Sequence, residues 1–239
     1  MLLLFSLLLS TANLQARVVQ TNELTIHDAP AWLLRPKVEK ITDRIQTHLE
    51  WTTRRTPVYW HANESSFIKA HSLGAGPVAV TSKSAKGSVI HMSPRVSLLN
   101  YKRILGHELV HLIFYQKYRG AIPRWLEEGF ANHLSRKSSV NYGWLAKQEL
   151  PADVTKLGHP FKQQGVRIDV HYAVSQAVVE MLRKKCDLQN LLRLSVERKM
   201  SDYIKSYCQI PDINKAFKKW LSVKSQPVKA ADRKVIKNK

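Results

Sequence analysis

The run His107-Glu108-Leu109-Val110-His111 holds the residue types that metal-assisted hydrolysis requires, at a spacing that a helix can use. Positions i and i+4 of a helix share a face, so the two imidazoles can take one metal ion together. Glu108, offset by one residue, then reaches a water on that ion. A metal in this setting lowers the pKa of such a water towards neutrality, and a neighbouring carboxylate accepts the released proton. The surrounding residues Leu98, Leu99, Ile104, Leu105, Leu112 and Ile113 are apolar. Two histidines and a glutamate buried there without partners would be costly, and a metal supplies the partner. The chain has ten histidines, so chance is the competing explanation for this run alone.

A second run, Trp125-Leu126-Glu127-Glu128-Gly129-Phe130-Ala131, follows on what reads as the next helix. The pair of motifs resembles the gluzincin zinc metallopeptidases, in which an HExxH helix precedes a WLxEGxA helix that donates a Glu as third ligand. The resemblance runs from about Val58 to Leu221 and is specific at the zinc motifs. It implies an α+β, zincin-like fold: a small mixed sheet with an edge strand, the HExxH helix, the third-ligand helix and a helical C-terminal part. It also implies one Zn2+ per chain on His107, His111 and Glu128, with Glu108 as catalytic base. Glu127 falls at the motif's variable position, which predicts a solvent-facing side chain. The strand ahead of the zinc helix is the edge that pairs with extended substrate in this family, a role that falls to Ser88, Val89, Ile90 and His91. A downstream Tyr or His commonly steadies the oxyanion, and of His171 and Tyr172 the match favours Tyr172. Asn132 stands where relatives often place a carboxylate that orients a zinc histidine, a departure that implies weaker tuning of that ligand. No GxMEN segment, the aminopeptidase grip on a free N-terminus, precedes the zinc helix, which favours an endopeptidase acting on peptides or proteins. His27, His48, His61, His71, His133 and His159 lack ligand-like spacing and read as surface or structural, with His133 closest in sequence to the site.

These groups must be positioned by a scaffold, and the hydrophobic pattern outlines one. A helical rhythm occupies Trp32 to Trp51. Strand-like runs cover Pro57 to Trp60, Pro77 to Thr81 and Ser88 to Met92, with a short helix after Asn63. From about Ser97 the chain reads as helix until Gly120, and Pro123 suits the first turn of the next. Ser135 to Gly165 is irregular. Asp169 reads as the N-cap of a helix with Val170, Ala173, Val174, Ala177, Val178, Met181 and Leu182 at 3.6-residue spacing. Shorter helices are expected around Leu188 to Val196, Tyr203 to Tyr207 and Pro211 to Leu221.

The length of 239 residues suits one catalytic domain, placed at 17–223. Residues 1–16 begin with the apolar run Leu2 to Leu9 and read as a secretory signal, although no Lys or Arg precedes it. Residues 224–239 read as a flexible basic tail. No later stretch is long and apolar enough to span a bilayer. Export to a periplasmic or extracellular space makes a Cys186–Cys208 disulfide the default expectation. The net charge of +20 predicts attraction to an anionic partner such as a cell-envelope polymer, or else a solvated basic surface. Nucleic acid is not expected, because no groove-reading motif or interleaved aromatics accompany the charge. The competing function is a catalytically weak binding protein that keeps the zinc fold and holds such a polymer.

Overall fold

The structure is a computed structural model that describes residues 17–84, 87–136, 138–194 and 199–226. Residues 1–16, read above as a secretory signal, and most of 224–239, read as a basic tail, lie outside the described residues. The architecture is mixed α+β, a five-stranded mixed sheet with a layer of helices. Strands β1 (Val19–Gln20), β2 (Leu24–His27), β3 (Thr56–Trp60), β4 (Ala79–Ser84) and β5 (Gly87–Met92) lie in the order β1-β2-β3-β5-β4. β3 is parallel to both β2 and β5, whereas the β1/β2 and β4/β5 pairs are antiparallel. Alternation along the strands decides the faces: Leu24, Ile26, Val58, Ile90 and Met92 are fully buried and join the core.

Helix α1 (Arg35–Leu49) contributes Val38, Ile41, Ile45 and Leu49 to that core, and α2 (Glu64–Lys69) is capped by the Asn63 side chain, which accepts from the Ser66 amide. Helix α3 (Tyr101–Tyr118) carries the His107 to His111 run and is buried on nearly every side, as its apolar sequence requires. It ends where Arg119 and Gly120 both take left-handed backbone, at φ 49° and 93°. Gly120 adopts that conformation without a Cβ penalty and stops the helix at the expected place. Pro123 stands one position earlier than expected, at the N-cap of α4 (Arg124–Ser135), where its carbonyl accepts from the Leu126 and Glu127 amides.

The irregular stretch holds α5 (Tyr142–Leu145) and a single 3-10 turn at Val154–Lys156. Helix α6 (Ile168–Leu182) buries all seven of the periodic apolar positions, Val170 to Leu182. Its N-cap is Arg167 and not Asp169: the Asp169 carboxylate lies in the first turn, accepting from the Val170 amide and pairing with Arg167 at 2.6 Å. Helix α4 lies between α3 and α6, and Gly129 sets how close α6 can come. A Cβ at that position would stand 2.4 Å from the Ser175 carbonyl oxygen and 2.6 Å from Val179 Cγ2. Helices α7 (Leu188–Leu194), α8 (Met200–Ser206) and α9 (Ile213–Lys224) complete the chain, and a Cys186–Cys208 disulfide ties the segment before α7 to the end of α8.

Candidate metal centre

The helical offset between His107 and His111 brings both imidazoles to the α4 side of α3. Their Nε2 atoms are 3.0 Å apart, and Glu128 Oε2 lies 3.5 Å from His107 Nε2 and 3.6 Å from His111 Nε2. Ligand atoms about 2.0–2.1 Å from a tetrahedral ion are separated by about 3.3 Å, so this triangle has the dimensions of a shared coordination sphere. His107, His111 and Glu128 form the one group of three or more such side chains able to hold a metal among the described residues. Glu128 is 2 % exposed, and its Oε2 is buried without a hydrogen-bond partner. A carboxylate oxygen left so would be costly, and a cation between it and the two nitrogens removes the cost. The residues present fit a divalent metal on three protein ligands.

The charges within the cluster hold each other in place. Burial opposes a charged His111, but Glu128 and then Glu127 outweigh it and push the imidazole up to about 10. Burial alone would raise the Glu128 carboxyl; the His111 charge and the contacts with His107 and His111 instead hold it well below its usual range. Metal binding at the cluster therefore competes with protonation of His111.

Glu127 does not face solvent. It is 6 % exposed, accepts from His111 Nδ1 at 2.6 Å and from Arg124 at 2.8 Å. A helix clamped between two others presents neighbouring positions to the interior, so both carboxylates of the Glu127-Glu128 pair turn towards α3. The short bond to Nδ1 fixes the tautomer that leaves Nε2 free for a metal. Asn132 makes no side-chain hydrogen bond with either histidine; it is buried and its Nδ2 has no partner. The carboxylate that orients a histidine of the cluster is Glu127, on His111, and not the residue at position 132.

Glu108 is buried beside the ligands, and Thr81 Oγ1 donates to its Oε2 at 2.7 Å. Thr81 belongs to β4, which is the outer strand of the sheet, whereas β5 is paired on both sides by β3 and β4. The edge position expected of Ser88, Val89, Ile90 and His91 is therefore held by β4, whose Ala79, Val80, Thr81 and Lys83 line the cavity of ≈ 50 Å³ over the cluster. β4 and β5 pair antiparallel, and the long-range pairing of β3 with β5 decides which of the two is internal.

Tyr172 lines the same cavity, its ring 5.9 Å from that of His107 in an edge-on arrangement. Burial, then the charges of Glu128 and Glu108, raise its phenol, so the O–H remains a donor at any ordinary pH. His171 turns away: its Nε2 bonds the Gly158 carbonyl at 3.1 Å and secures the segment that carries His159. His159, placed among the structural histidines by sequence, lines the cavity with Pro160 and Phe161. Its imidazole is pushed down to about 4, by burial first. The Phe161 amide donates to His159 Nδ1 at 3.2 Å, which leaves Nε2 as the N–H. His133 lies elsewhere, near Arg183 at 3.4 Å, and His61 pairs with His91 at 3.1 Å on the far side of the sheet. Compared with known protein families, with curated proteins and with solved structures, the chain matches none, and its site is read from its own residues.

Proposed function

We propose that the protein is a zinc-dependent endopeptidase of zincin-like fold, exported to the cell envelope or beyond. The observation that carries this reading is the triangle of half-buried His107 with buried His111 and Glu128, and Glu108 at its rim. Bound there, a zinc ion supplies a Lewis acid and a water acidified towards neutral pH. Glu108, steadied by Thr81, takes the proton from the attacking water on its carboxylate and delivers it to the leaving amine nitrogen. Tyr172 donates its phenolic O–H to the carbonyl oxygen as negative charge develops there. Glu127 keeps the His111 ring in one orientation throughout. The free outer side of β4 offers backbone groups to an extended peptide, by addition of a strand across the cavity.

The Cys186–Cys208 disulfide supports an oxidising compartment, and no helix among the described residues is long and apolar enough to cross a membrane. The test of the catalytic reading is Glu108→Gln. Zinc content stays at the native level while peptide hydrolysis falls by about 10²–10⁴-fold, the range of a lost general base. Undiminished hydrolysis by that variant would remove Glu108 from the mechanism.

A further inference from the structure

Tyr172 faces two spaces. One is the narrow cavity over the metal cluster, and the other is an open depression of ≈ 970 Å³ that begins at the same side chain. The depression has an apolar wall that includes Val140, Trp144, Val166 and Ile168, and Arg136 stands in it just after the end of α4. Arg136 has no ion-pair partner among the described residues, and its Nε is buried without a hydrogen bond. Arg136 and Tyr172 line the same depression, so the guanidinium and the phenol share one space. Asp169, the carboxylate that lines this depression, is paired with Arg167; Glu180 and Asp187 line a neighbouring depression that Arg136 also borders, and neither forms an ion pair with it among the described residues.

The cations on the other flank of the metal are committed in a way Arg136 is not. Arg124 donates to Glu127, and Lys83 lies 4.8 Å over the ring of Tyr115. A half-buried guanidinium with an empty donor costs free energy that an incoming carboxylate would offset, and its planar fork matches a carboxylate in two parallel hydrogen bonds.

We infer that Arg136 is a specificity-determining residue that receives a substrate carboxylate, making acidic peptides the preferred substrates on the Tyr172 side of the cleavage point. This rests on the peptidase reading above. The carboxylate is either a Glu or Asp side chain or a peptide's own C-terminus, and the two sources are separable.

The experiment uses peptide pairs that differ only by Glu or Gln near the cleaved bond, each with a free or an amidated C-terminus. Cleavage by the zinc-loaded native protein, by Arg136→Ala and by Arg136→Lys is followed by mass spectrometry. Binding of the same labelled peptides is followed by anisotropy, with the cleavage-impaired Glu108→Gln protein and its double variant with Arg136→Ala. The native protein prefers the carboxylate-bearing member of a pair by about tenfold or more, through KM. Arg136→Ala erases the ratio, and Arg136→Lys restores part of it. A ratio that follows the C-terminus identifies the terminal carboxylate as the recognised group; one that follows Glu identifies the side chain. Cleavage with no charge preference overturns the inference and leaves the peptidase reading standing. Charge-selective binding without any cleavage overturns the peptidase reading and leaves Arg136 as the recognition residue. Neither cleavage nor selective binding overturns both.

Discussion

Replacement of Glu127 is the most informative perturbation of the site, because it sits at a position that motif matching leaves unassigned. Its bond to His111 Nδ1 is 2.6 Å long and joins side chains only 10 % and 8 % exposed, so solvent does not compensate its loss. Groups that orient a metal ligand in this way are worth about 10–100-fold in metal affinity, or about 1.4–2.7 kcal/mol. Glu127→Gln keeps an acceptor and removes the charge, which places it near the tenfold end. Glu127→Ala also strands the buried His111 N–H and the Arg124 guanidinium, which places it near the hundredfold end. The assay is zinc competition against a chelator of known affinity at fixed pH, with the exposed Glu149→Gln as control. A second reading comes from metal-free protein, in which the raised His111 pKa depends partly on Glu127. Both variants therefore lower that pKa and soften the protein to urea at neutral pH. Native zinc affinity in Glu127→Ala would refute the reasoning and return this carboxylate to the solvent-facing role.

Thr81→Val removes the donor that holds Glu108 while keeping shape; peptide turnover falls about tenfold with zinc content unchanged. Gly129→Ala places a Cβ against the Ser175 carbonyl and Val179, so α4 and α6 separate. Denaturant unfolding then shows a loss of about 1–3 kcal/mol or more, and zinc affinity drops because Glu128 is the adjacent residue. His91 is held down to about 4 by burial, then by His61 and His71. An unfolded imidazole takes its proton near 6.5, so this contribution to stability is whole above that pH and is lost as pH falls towards 4. His91→Asn is accordingly less acid-sensitive than the native protein between about pH 7 and about pH 4.5, as read from urea midpoints.

Much of this site is legible in the sequence because a helix converts spacing into geometry. The i, i+4 histidines and the seven buried positions of α6 follow from a 3.6-residue period, whereas Glu128 comes only from the resemblance of its motif. What escapes is fixed by packing between distant segments. The strands β1 and β2 are two and four residues long, too short for alternation to stand out, and they exist because β2 pairs with β3. The edge identity of β4 depends on the pairing of β3 with β5. Glu127 is drawn inward by helices on both sides of α4, which its neighbours in sequence do not reveal. His159 reaches the cavity on an irregular segment held by His171, where no periodic signal exists.

The central claim is tested most directly by the metal content of the purified mature chain beside that of His107→Ala and Glu128→Ala. One zinc per native chain, with neither variant retaining it after equal reconstitution, is the result expected of a three-ligand site. A native chain that takes up no metal, or variants that keep it in full, would contradict the account.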